Sequence, residues 1–203
     1  MVAPRAYEEV LQIPGAARFP IELEPPEGFD PERLETWPRV EGRLEHVEGR
    51  LLFMPPCGDV QQDTVTDLII VLGSWVRSHK DFVLGTNEAG MRLRGATRAA
   101  DAAIWRKADA RHRTGGLRLA PPLLVAEVAG RYEPEPSLRD KAAWYLGAGV
   151  QVVWLVLPQT REVVVLTEQG ESRLAAGERL TEHPALPDLR PSVEELFVQI
   201  SED

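Results

Sequence analysis

Two short apolar runs constrain the fold of this chain more than any other feature. The first, PPLLVAEVAG at residues 121–130, is apolar except for Glu127. The second, GVQVVWLVLP at residues 149–158, contains the strongly β-prone stretch Val152–Leu157 and is closed by Pro158. Runs of this length, bounded by Gly and Pro, predict buried strands. A charged residue inside such a run therefore needs an explanation.

The segment between residues 59 and 128 predicts one long helix followed by three strands. Apolar residues recur there at i, i+3, i+4 and i+7, which indicates an amphipathic helix over Asp59–Lys80. The helical positions are Val65, Leu68, Ile69, Leu72, Trp75 and Val76. The strands are expected at Phe82–Thr86, continuing to Met91–Leu93, at Ala100–Arg106, and at Leu123–Val128.

A second helix lies between the two apolar runs. Ser137 with Asp140 three residues later forms a capping-box pattern, and the helix is expected to end near Gly147 or Gly149. The order is then helix, three strands, helix, strand. This order favours an α/β (α+β) fold in which helices pack on one mixed sheet.

The two ends of the chain add an arm and two hairpins. Residues 1–40 hold seven of the 17 prolines and predict an irregular arm with a short helix candidate at Tyr7–Leu11. Arg43–Met54 predicts a hairpin that turns at Glu48-Gly49, and a C-terminal hairpin is expected around Gln169-Gly170. We therefore expect a single domain over residues 41–198 and an acidic tail at 199–203.

Composition and motifs exclude several classes of protein. The single cysteine, Cys57, excludes an internal disulfide framework and a zinc site built from several thiolates. The longest apolar runs are too short to cross a bilayer, and no secretory signal opens the chain. No P-loop, GxGxxG or GxSxG motif is present. These features predict a soluble, cytoplasmic protein.

The net charge of −9 conceals a basic middle. Residues 1–60 carry six arginines and twelve acids, and residues 162–203 carry three arginines and ten acids. Residues 77–118 carry ten Lys and Arg against four acids. Such a segment is typical of a surface that faces phosphate, although charges that pair between segments explain the same pattern.

Two isolated acids are the strongest candidates for function. Glu127 lies in the first apolar run, and Asp101 stands among small and apolar residues in RAADAAIW. A buried carboxylate is costly unless it is paired, so each is either functional, turned outward, or bound to an arginine. If their strands are neighbours, both carboxylates meet at one edge of the sheet. Two carboxylates with water and a phosphate oxygen suit Mg²⁺.

A lysine and a third acid have weaker support. Lys141, in the first turn of the second helix, could stabilise charge on a phosphate, and a solvated helix-face lysine fits equally well. Glu45 lies on the first hairpin, where an exposed strand acid is the default expectation. Gln61, at the start of the long helix, is expected to be solvated.

The order of these pieces resembles the PD-(D/E)XK nuclease superfamily, and more narrowly the restriction-endonuclease-like Uma-two family, over residues 41–198. The matching segments are LEHVEGRLLFMPP, the isolated Asp101, PPLLVAEVAG, the run Asp140-Lys141…Trp144-Tyr145, GVQVVWLVLP and PSVEELF.

The resemblance implies an endonuclease that uses Mg²⁺ or Mn²⁺ to cleave phosphodiester bonds in nucleic acid, most simply DNA. It implies that Glu45, Asp101 and Glu127 form the acidic cluster, that Asp101 and Glu127 bind the metal, and that Lys141 is a relocated catalytic lysine. The basic segment from Arg92 to Arg118 would contact the nucleic-acid backbone. The residues selected there are Arg92, Arg94 and Arg98.

Four positions depart from the family pattern. Ala100 replaces the proline of the PD pair, Ala129 replaces the usual lysine, Gln61 replaces a histidine, and Leu157 replaces an aspartate. These departures leave a second hypothesis open, namely a catalytically degenerate nuclease fold that acts as a nucleic-acid-binding or regulatory module. A third hypothesis is a structural homodimer with no nucleic-acid role.

Overall fold

The structure is a computed structural model that describes residues 20–40, 43–54, 57–111, 115–131 and 133–201. The helix candidate at Tyr7–Leu11 lies outside these residues. Within them, nine strands form one mixed sheet. The strands are β1 Ile21–Leu23, β2 Arg43–Val47, β3 Arg50–Met54, β4 Phe82–Leu93, β5 Ala96–Arg106, β6 Leu124–Val128, β7 Val152–Leu157, β8 Glu162–Thr167 and β9 Gly170–Leu174. The helices are α1 Asp59–Ser78 and α2 Glu135–Gly147.

Each face of the sheet is covered by one of the helices. Leu68, Leu72 and Trp75 of α1 pack with Ile104 and Leu124 on one face, which the segment after β9 also covers. Leu138, Ala142 and Tyr145 of α2 pack with Val125 and Leu155 on the other face. The expected mixed sheet with packed helices is confirmed, as are both hairpins.

The sheet order is β1-β3-β2-β5-β6-β7-β8-β9, and β4 pairs with β5 outside this path. β6 and β7 are parallel, and α2 connects them. The other neighbours are antiparallel. Among the described residues no helix is long and apolar enough to cross a membrane.

β5 divides the sheet into two branches. One edge of β5 pairs with β4 along nearly its whole length. The other edge pairs with β2 at Thr97 and with β6 from Ala102 to Ile104. Residues 98–101 therefore lie between the branches, and no strand among the described residues pairs with them on that edge. We call this gap the fork.

A bulge in β4 lies against the fork. Thr86 pairs with Ala102 and Ala89 pairs with Ala100, so Asn87 and Glu88 both stand opposite the one intervening residue of β5. The φ angles of Asn87 and Glu88 are 56° and 58°, in the left-handed region. Two consecutive non-glycine residues in this region indicate local strain, which often accompanies functional sites.

One helix boundary differs from the prediction. α2 begins at Glu135, with Pro134 at its N-cap position, so Ser137 lies inside the helix and does not cap it. Pro136 fits the first turn because its missing N–H has no partner there in any case. The predicted end at Gly147 is confirmed.

Candidate active site at the fork between two strands

The carboxyl group of Asp101 lies in the fork. It accepts a hydrogen bond from a backbone N–H of β6, as the carbonyl of a neighbouring strand would in a continuous sheet. Its Oδ2 accepts a hydrogen bond of 2.7 Å from the N–H of Val128, at the end of β6. Burial raises the pKa of Asp101, which the bond from Val128 and the charge of Arg43 partly offset. Asp101 is thus tied to the residue next to Glu127.

Glu127 is buried on the face that α2 covers. Only 2% of the residue is exposed. The hydroxyl of Tyr145, one turn after Lys141 on α2, donates a hydrogen bond of 2.7 Å to its Oε1. Burial raises the pKa of Glu127 to about 7, although Lys141 acts against this shift. Its protonation therefore changes near neutral pH.

Lys141 is a buried ammonium group rather than a solvated helix-face lysine. Its Nζ lies 3.6 Å from Oε2 of Glu127 and 2.8 Å from Oε1 of Glu133. Nζ is buried, yet it makes no hydrogen bond of good geometry within the described residues. Burial lowers the pKa of Lys141, but Glu127 and Glu133 outweigh this effect and raise it. Lys141 therefore carries its charge beside the carboxylates.

Glu45 is buried, so the expectation of an exposed strand acid is wrong. The residue is 3% exposed, on the hairpin strand that borders the fork. Arg98 donates a hydrogen bond of 3.2 Å to Oε2, and Nε of Arg43 lies 3.5 Å from Oε1. The guanidinium of Arg98 also lies over the ring of Trp144, 5.1 Å from its centroid. The prediction from the residue type and strand alternation failed here because Arg98 and Arg43 pair with the carboxylate of Glu45 and offset the cost of burying it.

Gln61 is half-buried at the edge of the site, and the expectation of a solvated position is wrong. Its Nε2 donates a hydrogen bond of 2.9 Å to the carbonyl of Val128, the residue that also binds Asp101. The start of α1 is thereby joined to the end of β6.

The three arginines selected for nucleic-acid contact lie in different environments. Arg94 is exposed in the turn between β4 and β5. Arg92 donates hydrogen bonds to the backbone carbonyls of Pro31 and Glu32. Arg98 is largely buried, with 13% of its side chain exposed, and is bound to Glu45. Arg94 is therefore the member of this set that the fold leaves most open to a nucleic acid.

The donor set fits a hard divalent cation held by two carboxylates. Asp101 and Glu127 supply carboxylate oxygen atoms at the fork; Glu127 is buried, and the bond from Val128 uses only Oδ2 of Asp101. The described residues contain no group of three or more His, Cys, Asp or Glu that could hold a metal. Mg²⁺ commonly binds one or two carboxylates and keeps several waters, so a pair is a sufficient protein contribution.

Four other residues at the site did not emerge from the sequence as site residues. The sequence around Arg43 and Glu88 does not mark either as a site residue, because the pairing of β2 and the bulge in β4 bring them to the site. Glu133 follows β6 in a loop. Tyr145 lies four residues after Lys141, and helical spacing alone would have placed both on one face.

This arrangement of a mixed sheet with a charged fork defines the class of restriction-endonuclease-like folds. A solved structure supports the same class: a crystal structure from Anabaena variabilis ATCC 29413, described as "a putative nuclease belonging to DUF820". The two chains are 17% identical, with a TM-score of 0.74. The match covers 85% of this chain and 99% of that one. At this identity the match establishes the fold alone.

The chain belongs to the Uma2 family, whose model is described as "Putative restriction endonuclease" and matches residues 31–196. The comparison with curated proteins gave no match. The resemblance drawn from the sequence is therefore confirmed at the level of the family and of the fold.

Proposed function

We propose that the protein is a Mg²⁺- or Mn²⁺-dependent nuclease that hydrolyses phosphodiester bonds, most simply those of DNA. The observation that carries the proposal is the pair of carboxyl groups at the fork, the half-buried Asp101 and the buried Glu127, with a charged lysine beside Glu127. Burying carboxyl and ammonium groups costs desolvation energy even when they are paired, and such clusters occur preferentially at functional sites. Family membership supports the same reading.

Asp101 and Glu127 would hold the metal, with Glu45 in support through a water molecule. When bound, such an ion activates water for attack and neutralises charge on the phosphate. The hydroxyl of Tyr145 fixes one oxygen of Glu127 and so orients the other. The ammonium of Lys141 would stabilise negative charge that develops on the phosphate.

Contact with the nucleic-acid backbone would come from the basic segment. Arg94 is exposed and fits this role, whereas Arg92 and Arg98 would first have to leave their present partners. Such contacts position the duplex without reading its bases. Affinity would therefore fall steeply with salt concentration.

A calorimetric titration of Mn²⁺ tests the proposal directly. The wild type should bind Mn²⁺ and Glu127→Gln should not, because the amide removes the charge that holds the cation while keeping the shape of the side chain. Glu24→Gln, an exposed glutamate on the N-terminal segment, is the matched control and should bind like the wild type. Metal-dependent cleavage of plasmid DNA should be lost in Glu127→Gln and in Asp101→Ala. Equal cleavage by the wild type and Asp101→Ala would contradict the proposal.

The alternative is a nuclease fold that has lost catalysis and binds nucleic acid. It is favoured by one observation: the described residues offer two carboxylates rather than a group of three metal-binding side chains. It predicts no Mn²⁺ binding but salt-dependent DNA binding that Arg94→Ala weakens. The titration therefore separates the two functions.

A further inference from the structure

The candidate site contains a second cation for which the proposed function gives no role. Arg43 lies on β2, two residues before Glu45 and on the same face of the strand. Its Nε is 3.5 Å from Oε1 of Glu45, an ion pair without a hydrogen bond. Neither of these two buried atoms has a hydrogen-bond partner among the described residues. The side chain keeps 12% of its surface exposed, so it is not sealed from a ligand.

The charge of Arg43 interacts electrostatically with the whole acidic cluster. Burial by itself lowers the pKa of Arg43, but nearby carboxylates outweigh burial and raise it. These carboxylates come from four different strands, β2, β6, β5 and β4. In order of effect they are Glu45, Glu127, Asp101 and Glu88.

Arg43 and Lys141 share an unusual property. Both are largely buried cations at the fork. Nε of Arg43 has no hydrogen-bond partner in the described chain, and Nζ of Lys141, which lies 2.8 Å from Glu133, makes no hydrogen bond of good geometry there. A buried donor left without an acceptor is unfavourable, and an oxyanion would satisfy both. Proteins commonly bind phosphate oxygens through the guanidinium group of Arg and the ammonium group of Lys.

Arg98 differs from Arg43 although both contact Glu45. Its Nη1 donates a hydrogen bond to Glu45, and its guanidinium lies over Trp144. Nε of Arg98 and Nε of Arg43 both lack a hydrogen-bond partner in the described chain. Arg98 is nevertheless fixed by its hydrogen bond to Glu45 and its contact with Trp144, whereas Arg43 contacts Glu45 through an ion pair of 3.5 Å that lacks a hydrogen bond.

We infer that Arg43 is a substrate-contacting residue whose guanidinium binds an oxygen of the nucleic-acid phosphate, with Lys141 as the second donor to the same group. This inference rests on the proposed function and extends it. It assigns to β2 a direct role at the substrate, where the proposed function uses only the carboxylate of Glu45. In the absence of substrate, the same guanidinium neutralises part of the acidic cluster.

The test compares metal binding with substrate use in Arg43→Met and Arg43→Lys. Removing a positive charge near a cation site favours the cation, so Arg43→Met should bind Mn²⁺ at least as tightly as the wild type by calorimetry. With Mn²⁺ and a fluorogenic DNA duplex, its KM should rise about tenfold or more while kcat changes less. Arg43→Lys should recover part of the loss. The control Arg173→Met removes an arginine that pairs with Glu135 and Glu162 outside the site and should keep the wild-type KM.

Two results would overturn this inference while leaving the proposed function intact. An unchanged KM in Arg43→Met would show that the guanidinium does not touch substrate. Loss of both Mn²⁺ binding and the folded state in Arg43→Met, with no recovery in Arg43→Lys, would make Arg43 structural. By contrast, a wild-type protein without metal-dependent cleavage would overturn the proposed function itself, and this inference with it.

Discussion

At the scale of single residues, the carboxyl group of Glu127 links stability to pH. Its pKa is raised by burial from 4.5 to about 7 in the folded protein. As pH rises, the unfolded chain releases this proton first, near 4.5, and the folded protein releases it only near 7. The folded state therefore binds the proton more tightly, and its stability falls over this interval.

Glu127→Gln should lose this pH dependence, because an amide does not titrate. Between about pH 4.5 and pH 7, the unfolding free energy of the wild type should fall by about 3 kcal/mol relative to the variant. Urea unfolding of both proteins across this range, with a chelator present, measures the difference. Glu24→Gln should follow the wild type at every pH. If the difference in unfolding free energy between the wild type and Glu127→Gln stays constant with pH, the pKa of Glu127 is not raised in the folded protein.

At the scale of elements, the bulge in β4 is a strained segment that the site imposes on a strand. Glu88 has a φ of 58°, a conformation that glycine adopts without steric cost. Glu88→Gly should therefore leave the unfolding free energy unchanged or raise it by about 1 kcal/mol, the strain relief being partly offset by a more flexible unfolded chain.

Glu22→Gly, on the exposed strand β1, is the matched control. Its backbone is not in the left-handed region, so the same change should lower the unfolding free energy by about 0.5–1 kcal/mol. Chemical denaturation of both variants provides the comparison. If Glu88→Gly is destabilised as much as Glu22→Gly, the bulge holds no strain.

The elements themselves could be predicted from the sequence where one local pattern decided them. The periodicity of α1 located that helix to within two residues at its C-terminal end, and the Glu48-Gly49 turn was correct because both residues need positive φ. The start of α2 was wrong, since a Ser capping pattern competed with a Pro that is equally suited to a first turn. Where two local sequence patterns favour different first residues for a helix, tertiary packing determines where the helix begins.

At the scale of the whole molecule, the site could be predicted only in part. Asp101 and Glu127 stood out because each is an acid in an apolar context. The burial of Glu45 and the position of Arg43 at the fork depend on β2 pairing with β5, more than 50 residues away in sequence. No local pattern encodes such a pairing. The sequence therefore indicated the carboxylates of the central strands better than the cations that surround them.

The C-terminal segment closes the face of the sheet that α1 covers. Gln199 belongs to the segment expected to be an acidic tail, yet it binds Asp67 of α1, a residue that is 4% exposed. The backbone N–H of Gln199 donates a hydrogen bond of 2.8 Å to Oδ2 of Asp67, and the side-chain amide of Gln199 donates one of 3.0 Å to Oδ1 of Asp67. These are the hydrogen bonds that the carboxylate of Asp67 accepts within the described chain.

Deleting residues 198–203 should therefore destabilise the protein well beyond the loss of a few terminal residues. The carboxylate of Asp67 would be left buried without hydrogen bonds, and Ile200 would be removed from the core face against which it packs. We expect a fall in unfolding free energy of about 2 kcal/mol or more, seen as a lower urea midpoint. Deleting only residues 202–203 keeps Gln199 and should leave the midpoint within error of the wild type. Equal midpoints for the two deletions would mean that the contact between Gln199 and Asp67 contributes nothing to closing the fold.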